Sequence, residues 1–253
     1  MSKHQVGYIA FGLFTLFYFF AFYFWNWPII VYIGFFVLWI LVVIYGSFII
    51  QLNYHVKSIC SVKSKEKVVA ITFDDGPTEF TTKILDLLDE YQQKATFFCI
   101  GKQIEKHNEI LSEIVKRQHE VGNHTYSHQK SMGFKSTKNM VKEIQDNAKL
   151  IEEKVGVKDV YFRPPFGVTN PRIRRAVKKL NQTVIGWNIR SFDTVNHDEE
   201  MIFKRIKRRI SPGSIILLHD TSDKTVNVVR SLLEYLKKEK YKSVTIHELL
   251  NLK

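Results

Sequence analysis

The side chains best suited to acid–base or metal chemistry stand in short polar strings that each follow an apolar run. The first string is TFDDGP at positions 72–77. Successive side chains of a strand point to opposite faces, but a Gly-Pro turn can bring the carboxylates of Asp74 and Asp75 to the same edge. One carboxylate could then bind a metal while the other accepts a proton. Taken alone, the string is also typical of an Asp-rich turn or a helix cap.

Two histidines, His124 and His128, stand four residues apart in the string HTYSH. On a helix this spacing places both imidazoles on one face, where they can bind the same metal. Two neutral imidazoles and one carboxylate are a common ligand set for catalytic zinc, and Asp75 supplies the carboxylate. Without Asp75, two unrelated surface histidines would be the simpler interpretation.

Arg163 and His219 also follow apolar runs. Arg163 begins the string RPPFG, whose prolines stiffen the chain, and a guanidinium held there can lower the pKa of a neighbouring carboxyl. His219 ends the string LLH, a position suited to acid or base chemistry at the end of a strand. The alternatives are an ordinary surface salt bridge for Arg163 and a structural histidine for His219.

The elements that must position these residues alternate along the chain from about Val68. Apolar runs predict strands at Val68–Phe73, Ala95–Cys99, Glu120–Asn123, Val160–Arg163, Thr183–Ile189, Ser214–Leu218 and Ser243–Ile246. Amphipathic segments predict helices at Thr81–Tyr91, Lys102–Arg117, Thr137–Val155, Pro171–Leu180, Glu199–Ile210 and Val226–Lys240. This alternation predicts an α/β fold with a parallel sheet, and closing the sheet gives a (β/α) barrel of about seven strands. In such barrels the carboxyl ends of the strands carry catalysis.

The N-terminal region is apolar, with no Asp, Glu, Lys or Arg between His4 and Lys57. Two runs, 7–24 and 29–50, are each long enough to cross a bilayer, and the break at Trp25–Pro28 suits an interfacial turn. We therefore predict two transmembrane helices rather than one long bent segment; the stretch is too long for a signal peptide. The predicted organisation is a membrane anchor at 1–56, a linker at 57–66 and a catalytic domain at 67–253.

All but one of the 37 basic residues and all 25 acidic residues follow the apolar region, so the rest of the chain is basic. This charge suits an acidic glycan or a phospholipid surface, although an ordinary solvated basic surface explains it equally well. No nucleic-acid-binding signature is present, so nucleic acid is not an expected partner.

Taken together and in this order, the strings TFDDGP, HTYSH, RPPFG and LLHD resemble the polysaccharide deacetylase family. These are the NodB-like carbohydrate esterases, which include chitin and peptidoglycan deacetylases. The resemblance covers the chain from about Val68 to its C-terminus. It implies a distorted (β/α) barrel and a divalent metal, usually zinc.

The resemblance also implies a role for each matching residue. Asp74 would be the general base and His219 the general acid, with Arg163 tuning the base and Asp193 tuning the acid. The metal ligands would be Asp75, His124 and His128. The backbone amide of Phe166 would bind the oxyanion, and Leu217 would contact the acetyl methyl. The chain departs from the family pattern at Arg190 and Thr194, where many members carry an aspartate and a tryptophan, and this leaves the shape of the substrate groove open.

The expected reaction is hydrolysis of an acetamide on an N-acetylated sugar unit of a chitin- or peptidoglycan-like polysaccharide, with release of acetate. An O-acetyl esterase, a small-amide hydrolase and a non-catalytic glycan-binding membrane protein are the alternatives. The expected partners are an acetylated glycan and the lipid bilayer. Lys57, Lys63, Lys65 and Lys67 follow the second apolar run and favour the cytoplasm by the positive-inside rule, but the implied substrate favours an extracytoplasmic domain.

Overall fold

The computed structural model describes residues 3–252. It begins with a hairpin of two long helices, α1 (Lys3–Trp25) and α2 (Ile29–Phe48). Stacked rings join the two helices, with centroids 3.6 Å apart for Phe14 and Phe35. Most of the large apolar side chains on both helices are exposed, and both helices are long and apolar enough to cross a membrane.

Both ends of the hairpin are joined to the rest of the chain. The backbone N–H of His4, near the start of α1, donates to Tyr54 O at 3.1 Å. At the end of α2, Ser47 O accepts from the Thr169 N–H at 2.9 Å. The Gln51 side-chain amide donates to Trp187 O at 2.8 Å. The start of α1 and the end of α2 therefore lie on the same side of the hairpin, against the α/β domain.

Within residues 3–252, eight strands form the domain's sheets, and all of the paired strands are parallel to each other: β1 (Ser58–Ile59), β2 (Val68–Asp74), β3 (Ala95–Cys99), β4 (Glu120–Asn123), β5 (Val184–Ile185), β6 (Ile189–Arg190), β7 (Ser214–His219) and β8 (Lys242–Ser243). The main sheet has the order β4-β3-β2-β7-β6, with β8 beside the start of β2 and β1 paired with β5. Phe162 pairs in parallel with Asn123 of β4 and with Val184 of β5. Because β5 and β6 are successive parts of one bent segment, these pairings close the sheet into a distorted barrel, as predicted.

The α-helices of the domain are α3 (Glu79–Glu90), α4 (Gly101–Lys106), α5 (Asn108–Lys116), α6 (Thr137–Val155), α7 (Pro171–Lys179), α8 (Glu199–Lys207), α9 (Asp223–Lys238) and, after the last strand, α10 (Ile246–Leu250). Most begin at a side-chain cap. At α7 the Asn170 side chain accepts from two backbone N–H groups and Pro171 takes the first helical position, where no N–H is needed.

The central strands are buried on both faces because helices cover the outside of the barrel and side chains fill its interior. All seven residues of β2 are buried, as are all five of β3. This burial explains why both strands are continuous apolar runs in the sequence. A rigid, fully packed β2 is the element that carries Asp74 to the edge of the barrel.

Some predicted elements differ in detail. The strand predicted at Val160–Arg163 is reduced to the single paired residue Phe162, because Pro164 and Pro165 have no N–H to continue the ladder. The strand predicted at Thr183–Ile189 is broken between β5 and β6 near Gly186, where a Cβ would lie 2.6 Å from Cys60 Sγ. The helix predicted at Lys102–Arg117 is two helices that meet at His107, and Ile246 begins α10 instead of ending a strand.

The segment 57–66, predicted as a linker, contains β1 and is held to the barrel by a hydrogen bond from the Val62 N–H to Gly213 O at 2.9 Å. Just before it, the side chains of Ile50 and Val56 are buried in the core. The predicted division of the chain at residues 56 and 66 stays a prediction.

Candidate active site

The adjacent carboxylates reach the same cleft because the chain turns sharply at Asp75. Asp74 is the last residue of β2, and Asp75 has a φ of 76°, in the left-handed region. This turn, one residue earlier than the predicted Gly-Pro turn, overrides the alternation of side chains along a strand. Gly76 follows against Asp220, where a Cβ would lie 2.1 Å from a carboxylate oxygen, so only glycine fits.

His124 and His128 are brought together by a loop and not by a helix, so the predicted shared helical face is wrong. Residues 124–128 follow β4 without helical structure, and Thr125 and His128 have φ values of 67° and 45°. Two left-handed residues fold the loop back on itself, and the imidazole centroids lie 4.7 Å apart. The two rings lie close together, as the spacing suggested, but the backbone between them forms a loop and not a helix.

Side chains from neighbouring elements fix this loop. Asn123 Oδ1 accepts from the Thr125 N–H at 2.9 Å, within the turn that follows β4. Glu143 of α6 accepts from the Ser127 N–H at 2.8 Å and from the Ser127 hydroxyl at 2.6 Å. The loop is therefore held at both ends, which sets the positions of both imidazoles.

Asp75, His124 and His128 form a cluster of three ligand atoms that all lie within 4.8 Å of one another. Asp75 Oδ1 is 3.5 Å from His124 Nε2 and 3.4 Å from His128 Nε2. Three donors around a common point, one carboxylate and two imidazoles, match a catalytic zinc site that leaves further positions open.

The state of each donor also fits a divalent cation. The His124 Nδ1–H donates to Arg163 O at 2.8 Å, which leaves Nε2 as a lone-pair donor facing the cluster. Burial, together with the neighbouring His124 ring, lowers the pKa of His128 to about 4, so this imidazole is neutral, as metal binding requires. Asp75 Oδ1 and His128 Nε2 are buried without a hydrogen-bond partner among the described residues. A cation would satisfy both atoms.

Asp74 lies beside this cluster and is paired with a buried arginine. Its Oδ1 accepts from Arg163 Nη1 at 2.8 Å, and its Oδ2 lies 3.7 Å from His124 Nε2. Burial opposes ionisation of Asp74, but Arg163 and the nearby histidines outweigh it and hold the pKa of Asp74 below its usual value. Asp74 is therefore a carboxylate at neutral pH, able to accept a proton.

Arg163 is fully buried and cannot move away from Asp74. Its guanidinium donates to the carbonyls of Ile185 and Gly186, at 3.2 and 3.0 Å, and lies 4.0 Å from the centre of the Phe98 ring. The same Nη1 that binds Asp74 also donates to Thr72 Oγ1 at 2.8 Å. The predicted Arg163–carboxylate pair is thus a buried, hydrogen-bonded pair and not a surface salt bridge.

His219 lies across the cleft and is paired with Asp193. The ring Nδ1 is 2.8 Å from Asp193 Oδ1, and the His219 backbone N–H donates to Oδ2 at 2.8 Å. Ser191 and Thr225 hydroxyls donate to the same carboxylate. Burial lowers the pKa of His219, but the Asp193 carboxylate outweighs it and raises the pKa to about 9. His219 is therefore protonated at neutral pH, which suits a general acid.

These groups share one cleft of about 220 Å³. The predicted residues Phe166 and Leu217 line it, with Phe166 at 48 % exposure and in the left-handed region. Arg190 lines it as well, with its guanidinium 4.8 Å from the centre of the Phe192 ring. The residues predicted for base, acid, metal, oxyanion and acetyl contacts therefore meet in a single place, and their roles remain predictions.

Two residues of the site were not predicted. Trp187 lines the cleft next to Arg190; the tryptophan in the predicted fifth strand was the available signal. Asp220, the last residue of LLHD, is buried beneath the turn that carries Asp75, and burial raises its pKa to about 7. Thr81 donates a short hydrogen bond to Asp220, so this carboxyl supports the turn from below.

Comparison with known proteins identifies the family. The sequence model described as Polysaccharide deacetylase matches residues 61–185. A peptidoglycan-N-acetylglucosamine deacetylase of Bacillus cereus is 36% identical over 198 residues, which cover 76% of this chain and 92% of that protein. The chain belongs to the polysaccharide deacetylase family.

Two further proteins are similar to this chain in sequence and in structure. The peptidoglycan-N-acetylmuramic acid deacetylase PdaC of Bacillus subtilis is 32% identical, and the match covers 76% of this chain but 41% of PdaC. A solved structure of PdaC superposes with a TM-score of 0.69 at 32% identity, covering 75% of this chain and 92% of that structure. A CE4 family pseudoenzyme from Bacillus anthracis superposes with a TM-score of 0.71 at 27% identity, covering 77% and 69%. These similarities confirm the predicted family and the distorted α/β barrel.

Proposed function

We propose that this polysaccharide deacetylase is a metal-dependent hydrolase that removes the acetyl group from N-acetylated sugar units of a chitin- or peptidoglycan-like glycan. One observation carries the proposal. A three-donor metal cluster, an ionised carboxylate and a protonated histidine face the same small cleft, each fixed by buried partners. This is the set of groups that hydrolysis of an amide requires.

Asp74 acts as the base. As a water molecule adds to the acetyl carbon, the Asp74 carboxylate accepts a proton from that water. Arg163 keeps the carboxylate ionised and fixes its direction. The backbone N–H of Phe166, a residue that lines the cleft, would donate to the carbonyl oxygen as negative charge develops on it.

His219 acts as the acid. Its proton is transferred to the amide nitrogen as the C–N bond breaks, so that the products are acetate and a free amino group on the sugar. Asp193 holds Nδ1 and stabilises the imidazolium, which directs Nε2 towards the substrate. Leu217, buried at the cleft floor, supplies an apolar contact for the acetyl methyl.

Asp75, His124 and His128 would hold the divalent metal, for which zinc is the best match to two imidazoles and one carboxylate. When bound, such an ion supplies Lewis-acid polarisation of the acetyl carbonyl and of water.

The decisive experiment measures acetate release by the purified full-length chain from defined N-acetylglucosamine oligosaccharides, with and without added zinc. We expect one acetate and one free amine per reaction, activity lost with a chelator and restored by zinc. Acetate without new amine, from O-acetylated substrates only, would assign the same residues to an esterase. No acetate release from the N-acetylglucosamine oligosaccharides or from O-acetylated substrates would support a glycan-binding protein without catalysis.

The helical hairpin is proposed as the membrane anchor, with anchor, connecting segment and catalytic domain at 1–56, 57–66 and 67–253. A turn rich in tryptophan, around Asn26, joins two helices of membrane-spanning length. The catalytic domain is proposed to face away from the cytoplasm, where an exported glycan is accessible.

A further inference from the structure

A second depression lies where α2 meets the catalytic domain. It encloses about 410 Å³ between the end of α2 at Ser47 and Phe48, the loop around Met132 to Phe134, and the segment that follows Pro165. Its walls are mainly apolar, and the Phe134 side chain at its edge is 84 % exposed. We call this depression the junction groove. None of the predicted catalytic groups other than the Phe166 wall belongs to it.

The junction groove shares lining residues with two other depressions. Phe48 lines both the groove and an apolar depression on α2, which extends from Leu41 to Tyr54 along the face that a bilayer would cover. Phe166 lines both the groove and the catalytic cleft, and its ring centroid is 4.7 Å from that of His128. The groove therefore lies between the depression on α2 and the edge of the proposed metal site, and it shares one aromatic lining residue with each.

The groove has cationic groups beside its apolar walls, an arrangement suited to binding an amphiphilic molecule. Lys130, an exposed cation, lines the groove beside its apolar walls. Arg172 donates to Phe134 O at 2.7 Å, which places a second cation at the same edge. A hydrocarbon chain would fill the apolar walls, and an anionic group between the chain and a sugar would lie near these cations.

We propose that the junction groove binds the hydrocarbon chain of a lipid-linked, N-acetylated glycan, and that the enzyme deacetylates its substrate while that substrate is still anchored in the membrane. This proposal rests on the proposed deacetylase function and names the form in which the substrate is presented. A lipid-linked glycan has its chain in the bilayer and its sugars at the surface, which is the order of the α2 depression, the junction groove and the catalytic cleft.

The test compares two substrates on the full-length chain in phosphatidylcholine nanodiscs: a soluble N-acetylglucosamine oligosaccharide, and the same oligosaccharide as a long-chain alkyl glycoside joined through a phosphate. Gly133→Phe fills the groove, and the backbone accepts a side chain there because an added Cβ would meet nothing closer than Val168 Cγ1 at 3.7 Å. We expect this variant to lower kcat/KM for the lipid-linked substrate at least tenfold, through KM, and to leave the soluble oligosaccharide unchanged. Met201→Phe, which adds an aromatic ring at an exposed position outside the groove, is the matched control and should change neither value.

Equal effects of Gly133→Phe on both substrates, or no effect on either, would overturn the proposal while the deacetylase function stands. No acetate release from either substrate by the unmodified chain would reject the deacetylase function itself. As an independent measurement, a photoreactive diazirine in the alkyl chain should label the peptide around Met132 to Phe134. Equal labelling by a phospholipid with the same diazirine would assign the groove to bulk lipid and overturn the proposal.

Discussion

Asp74 and Asp75 are neighbours in the chain but have different environments, which suit different tasks. Asp74 is 4 % exposed and bonded to a buried guanidinium, whereas Asp75 Oδ1 faces two imidazoles without a hydrogen-bond partner among residues 3–252. A carboxylate with a fixed cation partner can accept a proton without losing its position. A carboxylate with an unsatisfied buried oxygen is suited to a cation.

We expect Asp74→Asn to lower kcat by about 10²–10⁴-fold, the usual contribution of a general base, because asparagine keeps the shape but cannot accept the proton. Metal content, measured by mass spectrometry on the purified protein, should remain that of the unmodified chain. Near-normal turnover with metal bound would remove Asp74 from the role of base.

We expect Asp193→Asn to shift the alkaline limb of the pH–rate profile to lower pH. The Asp193 carboxylate raises the pKa of His219 from 6.5 to about 9, so without that charge His219 loses its proton at a lower pH. The pair also stabilises the fold below pH 6.5, and this contribution disappears as the pH rises through about 9. Asp198→Asn is the control, since Asp198 only caps α8 and asparagine caps equally well.

An unchanged alkaline limb in Asp193→Asn would show that His219 is not the acid whose ionisation limits the rate. The measurement is kcat/KM across the pH range for both variants, with unfolding followed in the same buffers to separate a change in stability from a change in ionisation.

The double variant His124→Ala/His128→Ala should bind no divalent metal, since only one carboxylate donor remains in the cluster. His247→Ala, at an exposed position on α10, should retain full metal content and serves as the control. Equal metal content in the double variant and the unmodified chain would reject the ligand assignment.

At the scale of elements, short turns place the catalytic side chains, and one of them packs directly against the bent β5–β6 segment. Gly167 has a φ of 68°, and a Cβ there would lie 2.4 Å from the Trp187 ring. Gly156, at the end of α6, has a similar φ of 73° but nothing within 4 Å of an added Cβ. The two glycines therefore separate backbone strain from side-chain crowding.

Gly156→Ala should lower the free energy of unfolding by about 1 kcal/mol, the cost of a left-handed alanine. Gly167→Ala should cost about 1–3 kcal/mol more, because Trp187 must shift, and it should also reduce activity since Trp187 lines the cleft. Chemical denaturation and acetate release measure the two effects. Equal losses of stability in both variants would mean that the Trp187 contact does not restrict this turn.

The helices, strands and loops differ in how well their positions could be predicted from the sequence. The buried strands β3 and β4 and the helix α6 have their predicted bounds, because burial and amphipathic periodicity are local properties of the sequence. The spacing of His124 and His128 suggested a shared helical face, but these residues lie in a loop, whose conformation depends on Glu143 of α6 and on left-handed residues that spacing does not reveal. The support of the Asp75 turn by Asp220 likewise depends on a contact between residues distant in sequence.

At the scale of the whole molecule, the start of α1 and the α/β domain lie at the same end of the hairpin. Lys3 Nζ donates to Leu52 O at 2.8 Å, and Arg174 of α7 lies 3.4 Å from the Gln5 side chain. If the hairpin spans the membrane, the N-terminus and the catalytic domain share one compartment.

We expect that compartment to be outside the cytoplasm. Protease added to intact spheroplasts should digest the catalytic domain while a cytoplasmic control protein survives. The lysines from Lys57 to Lys67 favour the opposite orientation, but a large translocated domain can outweigh a few charges. Protection of the domain until the membrane is ruptured would place it in the cytoplasm.

The attachment of both hairpin ends to the barrel has a consequence for where in a cell envelope this enzyme can act. The Thr169 N–H donates to Ser47 O at the end of α2, and Arg174 of α7 lies 3.4 Å from the Gln5 side chain of α1, so a hairpin that spans the membrane would hold the barrel next to the bilayer. The cleft would then lie at a constant distance from the bilayer surface. An enzyme held in this way would act only on glycan that passes through a thin layer next to the bilayer. The pattern of free amino groups would then record which strands were near the membrane when they were made, and older strands farther out would keep their acetyl groups.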